Sequence, residues 1–151
     1  MDKRSPRLWA VRPADEETGI AAVASIIGDR WTMLVLRDIF RGIRRFDELC
    51  VDLGIARPLL ATRLKRLVAA GVVEKSPYQD RPVRYDYRLT QAGTELSPAL
   101  VALLRWGDQW FGDVTPTARL VHGPCGNEFE QAFWCNHCRT TFGPAGIRSA
   151  T

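Results

Sequence analysis

Two groups of side chains in this 151-residue chain have the types and spacing to do chemistry. The first is cationic. Residues 20–90 hold thirteen Lys and Arg against eight Asp and Glu, a net charge of +5. Residues 1–19 and 112–151 are neutral and 91–111 carry −1, so the whole chain's +4 resides in that one internal stretch. A localised excess of this kind is where a polyanion would be met. The second group is a set of soft ligands near the end of the chain. His122-Gly-Pro-Cys125 and Cys135-Asn-His-Cys138 give H-x2-C and C-x2-C, nine residues apart.

Two close ligand pairs on short turns suit a tetrahedral zinc ion, and structural zinc on His122, Cys125, Cys135 and Cys138 is the expected cofactor. Four protein ligands would leave no open position for catalysis. Phe129, Phe133, Trp134 and Phe142 could surround such a site as a small apolar shell. Three other readings stay open: reduced structural cysteines, a redox pair of Cys135 and Cys138, and His137 as ligand in place of His122. The fourth cysteine, Cys50, falls on the inner side of a helical stretch and reads as a small buried hydrophobe.

The elements that must position the cations follow from periodicity. Residues 1–17, with Pro6 and Pro13, read as a loose arm. Ile20–Ile27 reads as a short helix, with Gly28 after it and Asp29 as N-cap of a second helix to Arg41. Phe46–Leu53 forms a third, Gly54-Ile-Ala56 a tight break, and 57–70 a fourth. At 100° per residue, Leu60, Leu64 and Leu67 lie within about 60° of one another and define an inner face. The opposite face carries Pro58, Thr62, Lys65 and Arg66 with no acid; Arg57 stands at the N-terminus and Arg63 on the flank. Two strands follow, 72–76 and 84–89, with the polar segment 77–83 predicted as a long hairpin tip. Thr90 is predicted to cap one long helix running to Phe111. Its Leu96, Leu100, Leu103, Trp106 and Trp110 are candidates for a subunit interface, because one helix with two apolar lines serves its own core and a neighbour.

Helix, break, helix and basic hairpin is the order of a winged helix-turn-helix, whose second helix enters the major groove of double-stranded DNA. The DNA-binding candidates are Arg44, Arg45, Arg57, Pro58, Thr62, Arg63, Lys65, Arg66, Arg81 and Arg84. The expected fold is mainly α with a small β-hairpin, a winged helix-turn-helix over 18–111, plus a small zinc-ribbon-like C-terminal extension over 112–151.

Several segments carry a resemblance. Ile26-Ile-Gly-Asp-Arg-Trp-Thr-Met-Leu-Val-Leu-Arg37, Gly42-Ile-Arg-Arg-Phe-Asp-Glu-Leu49, Gly54-Ile-Ala56, Leu60-Ala-Thr-Arg-Leu-Lys-Arg-Leu67, Gly71-Val-Val73, Tyr85-Asp-Tyr-Arg-Leu-Thr90 and Gly93 resemble the HxlR family of bacterial winged helix-turn-helix regulators. The resemblance covers about residues 18–111. It implies a homodimer built through terminal helices that binds operator DNA as a repressor or activator. An unknown small-molecule effector is a further candidate partner. Members often carry a Cys just before the first helix, a sensor of oxidants or electrophiles in some. The matching place here is Thr18, which has no thiol.

Composition excludes other classes. A hydrophobic fraction of 46% with 25% charged residues is ordinary for a globular chain and rules out global disorder. No run approaches the roughly 18 apolar residues of a membrane span, and residues 1–18 lack the apolar stretch of a secretory signal. A cytoplasmic protein with reduced thiols is expected. No Gly-rich phosphate loop, Ser/His/Asp order or paired carboxylates emerge, so no enzyme is expected. The rival functions are a protein-interaction module and a thiol or zinc switch using the late cysteines.

Overall fold

The computed structural model describes residues 19–111 and 119–148. The arm 1–17, Thr18 and the start of the C-terminal extension at 112–118 lie outside the described residues. The chain forms two compact units that divide between Trp106 and Gly107.

The first unit contains α1 (Gly19–Ile27), α2 (Arg30–Phe40), α3 (Phe46–Leu53), α4 (Arg57–Ala69), β1 (Val73–Asp80), β2 (Val83–Leu89), α5 (Gln91–Glu95) and most of α6 (Ser97–Trp110). Helices α1 and α2 meet at 85°. Asp29 starts α2 as expected: Thr32 donates its N–H to Oδ1 at 3.1 Å and its hydroxyl to Oδ2 at 2.6 Å. That satisfies one of the orphan donors of a helix start. Val35, Leu36 and Ile39 of α2, Leu49 of α3, Leu60, Leu64 and Leu67 of α4, and Val72 and Val73 before and in β1 form the core with Ile55. Burying one such side chain contributes about 1.5–3 kcal/mol.

The turn between α3 and α4 rests on two residues. Gly54 sits at φ +59°, in the left-handed region that L side chains avoid, and ends α3. Ile55, buried, then pins the turn to the core, and Pro58 occupies the first turn of α4, where a missing N–H costs nothing.

The structure corrects two sequence expectations here. The hairpin strands do not stop at Ser76 and Arg84. Pairing runs from Val73↔Leu89 to Asp80↔Val83, with a register shift between Pro77 and Gln79. Pro77 has no N–H for the ladder, and the extra residue Tyr78 forms a bulge past which pairing resumes. The long tip shrinks to Arg81-Pro82. The predicted single helix after Thr90 is likewise two. Thr90 does cap it, accepting the Gly93 N–H at 3.1 Å while its hydroxyl donates to the Gly71 carbonyl at 2.6 Å. But α5 ends at Glu95 and α6 begins at Ser97. Pro98 lacks the N–H that a continuous helix would need at that point.

In the second unit β3 (Phe133–Cys135) and β4 (Thr140–Phe142) pair antiparallel, Cys135 opposite Thr140. A bridge joins Val121 to Glu128, and a 3-10 turn covers Pro144–Gly146. No residue of 119–148 is buried. Of the four expected shell rings, Phe133 and Phe142 have centroids 5.7 Å apart, and Trp134 is 58% exposed. No single described helix is long and apolar enough to cross a membrane.

Candidate nucleic-acid interface

Helix α4 is oriented by its leucines. With Leu60, Leu64 and Leu67 in the core, Pro58, Thr62, Lys65 and Ala69 are exposed on the far side. The Thr62 hydroxyl donates back to the Pro58 carbonyl at 2.9 Å. Lys65 makes no ion pair among the described residues, and α4 contains no acid.

The arginines of α4 are placed differently. Arg57 Nη1 donates to Asp47 Oδ1 at 2.6 Å, and its guanidinium lies 4.9 Å over the Phe46 ring. This ties the first turn of α4 to the first turn of α3. Arg63 Nε stands 3.1 Å from Asp29 Oδ1. That is ion-pair distance, but the N–H is out of line for a hydrogen bond and Nε is buried without one. Arg66 Nη2 donates to the Ser25 carbonyl of α1 at 2.7 Å, and its Nη1 is 3.9 Å from Asp29 Oδ2. Burial alone would raise the Asp29 carboxyl. The Thr32 hydrogen bonds together with the Arg63 and Arg66 charges outweigh it and hold the group below its ordinary value. Arg63 and Arg66, predicted on the flank and outer face, thus brace the α1–α2 junction, and Arg66 remains half exposed.

The wing carries Arg81 and Arg84, both exposed and without an ion pair among the described residues. Arg44 is exposed as well, and its carbonyl accepts the Tyr87 N–H at 2.8 Å, docking the entry to α3 on β2. Arg45 lies 4.8 Å over the Tyr78 ring and within 4.0 Å of Asp86 and 3.8 Å of Glu48. An open cleft between α3 and the wing is lined by Arg45, Arg57 and Arg84 with Phe46, Tyr78 and Tyr85. Sequence reading missed the acids that partner these cations. Asp29 was legible only as a cap. Asp47 and Asp86 meet Arg57 and Arg45 through tertiary packing, ten and 41 residues apart in the chain, a distance no local pattern encodes.

Of the residues predicted at a subunit interface, Leu96 and Leu100 are half-buried against this chain's own core. Leu103, Trp106 and Trp110 are 52%, 55% and 66% exposed.

The late ligand residues form two pairs. His122 Nδ1 is 3.3 Å from Cys125 Sγ. The Cys138 N–H points at Cys135 Sγ at 3.5 Å, and this bond, with the Cys138 thiol and the His137 N–H, pulls the Cys135 thiol below its ordinary value. Among the described residues no three His, Cys, Asp or Glu gather into one metal-holding set, so the pairs stand as separate turns. All four cysteines are free. Cys50 is half-buried, and burial pushes its thiol up, the wrong direction for a reactive thiolate.

Comparison with known proteins assigns the chain. Residues 26–115 match the family model of the HxlR-like helix-turn-helix. Rv3095 of Mycobacterium tuberculosis, an uncharacterised HTH-type transcriptional regulator, is 40% identical over 124 residues, 82% of this chain and 78% of that one. The HTH-type transcriptional regulator YodB of Bacillus subtilis is 33% identical over 87 residues, 57% of this chain and 78% of YodB. Among solved structures, PA1607, described as a candidate transcription factor, matches with a TM-score of 0.75 at 32% identity, over 90% of this chain and 96% of its own. Reduced YodB matches with a TM-score of 0.54 at 30% identity, over 66% and 99%. With 90 of its residues on the family model and its fold shared by these structures, the chain belongs to the HxlR-like helix-turn-helix family of transcription regulators.

Proposed function

We propose that this regulator works in the cytoplasm as a homodimer bound to operator DNA, with α4 in the major groove and the wing on the flanking backbone or minor groove. The observation that supports it is the exposed, acid-free outer face of α4, carrying Thr62 and Lys65. The major groove of B-DNA, about 12 Å wide, admits one helix. Arg44, Arg81 and Arg84 stand exposed at the entry to α3 and on the wing, where phosphates would pass. The apolar stripe Leu103, Trp106 and Trp110 is the kind of surface a second copy covers, and Ile20 of α1 is 77% exposed. Two copies would read half-sites about 34 Å apart.

The test is a gel-shift titration against the DNA flanking the coding gene, at several salt concentrations. Binding should weaken steeply with salt, and the logarithmic slope should become shallower by about 0.9 for each phosphate that a variant no longer neutralises. Lys65→Ala and Arg81→Ala should each weaken binding with the helical circular dichroism unchanged. Binding that ignores salt and both substitutions would remove α4 from the groove and favour a protein-interaction module.

A further inference from the structure

We propose that His122, Cys125, Cys135 and Cys138 hold one structural zinc ion, the H-x2-C and C-x2-C turns acting as its two knuckles. The backbone builds the same turn twice. In the first, the Gly126 N–H donates to the His122 carbonyl at 2.7 Å; in the second, the Arg139 N–H donates to the Cys135 carbonyl at 2.8 Å. In both, the residue after the second ligand is left-handed: Gly126 at φ +69° and Arg139 at φ +52°. Gly126 adopts that conformation freely. Arg139 is the one non-glycine residue with positive φ among the described residues, and it takes a conformation that its Cβ disfavours. The second turn therefore reproduces the first against local preference.

In the first turn the two donors face one another. The His122 Nδ1 to Cys125 Sγ separation of 3.3 Å is near the edge of about 3.6 Å expected between N and S ligands of tetrahedral zinc. The Cys138 N–H directed at Cys135 Sγ is a bond to a sulfur that carries charge when it binds metal. Each pair fills two of four tetrahedral positions, so neither is complete alone.

The need for an ion comes from packing. Residues 119–148 contain no fully buried side chain, so they lack the apolar core that orders the first unit. Segments this small are commonly held by a metal or disulfides, and the cysteines here are free. The two pairs are separate in the structure; loading would draw the turns together on one ion. Zinc takes cysteine as thiolate, so loading releases protons and weakens as pH falls. With no open coordination position the ion is structural.

The test uses the full chain, reduced, stripped by a chelator, then titrated with zinc or cobalt alone. One metal ion per chain is expected. Cobalt should give the strong visible bands of a tetrahedral site with thiolate charge transfer, and zinc should protect Cys125, Cys135 and Cys138 from alkylation. Cys125→Ser and Cys135→Ser should each abolish stoichiometric binding, and His122→Ala should alter the cobalt spectrum. The protection measurement needs no variant and stands even where a substitution unfolds the extension. A wild-type chain that takes up no zinc, binding that survives both Cys substitutions, or a Cys135–Cys138 disulfide isolated in place of metal would overturn the site. A cobalt spectrum unchanged by His122→Ala but changed by His137→Ala would overturn the ligand set.

Discussion

Leu60, Leu64 and Leu67 of α4 are at most 1% exposed, whereas no side chain between residues 119 and 148 reaches an interior. The contrast separates two ways of ordering a chain. The first unit gathers apolar side chains from three helices and β1 around one core, and its exposed surface is left for contact with other molecules. The second, over its described residues 119–148, has the Phe133–Phe142 pair and two tight turns but no buried side chain. A substitution that removes methylenes should therefore be felt in one unit and not in the other.

The largest expected effect is Leu64→Ala, which leaves a cavity under α4 and should cost about 2–5 kcal/mol. A thermal melt followed by helical circular dichroism measures it. A change below 1 kcal/mol would show that α4 is not anchored by its core face. Next comes Asp38, fully buried between Arg37 at 2.8 Å and Arg41 at 3.1 Å, with Arg41 also 3.1 Å from Asp52. Asp38→Ala strands those guanidiniums at the α2–α3 junction. The loss is discounted to about 1–3 kcal/mol because the arginines are a third or more exposed. Chemical denaturation would read it.

Asp29→Ala removes a cap and should cost about 1 kcal/mol. Its pH dependence has a definite sign. The folded carboxyl lies below its ordinary value, so its contribution is present above the unfolded value of about 3.9 and is lost as pH falls through the folded one. The stability gap between wild type and Asp29→Asn should stay flat at neutral pH and close below about pH 4. The smallest effect is expected from Phe142→Ala. It removes half of the ring pair in the second unit and should leave the first unit's melting transition within about 0.5 kcal/mol. A larger shift would mean that the units share stability.

Where local chemistry decides, the sequence was readable. The Leu60, Leu64, Leu67 spacing, the Asp29 and Thr90 caps and the break at Gly54 each depend on a few neighbouring residues, and the structure has them all. The wing was misjudged because Pro77 and Pro82 read as loop residues, while a one-residue bulge lets the ladder pass Pro77. The partition of cations between internal bracing and open surface was not legible at all. Arg66 and Lys65 are adjacent in sequence, yet one holds the Ser25 carbonyl and the other has no ion pair among the described residues. That choice depends on where α1 and Asp29 lie in space. The symmetry of the two late turns was half visible: the ligand spacing is written in the chain, but the left-handed Arg139 is not.

The pairing from Val73 to Asp80, interrupted by the bulge at Tyr78, makes the β-hairpin a prong some 25 Å long, at about 3.3 Å per residue. Its length is therefore quantised. Excising one matched pair of residues would pull Arg81 and Arg84 back by about 3.4 Å and turn them to the opposite side of the ribbon; excising two pairs would shorten the reach by about 7 Å and leave them facing as before. Only even trims preserve which side of the prong bears the charge.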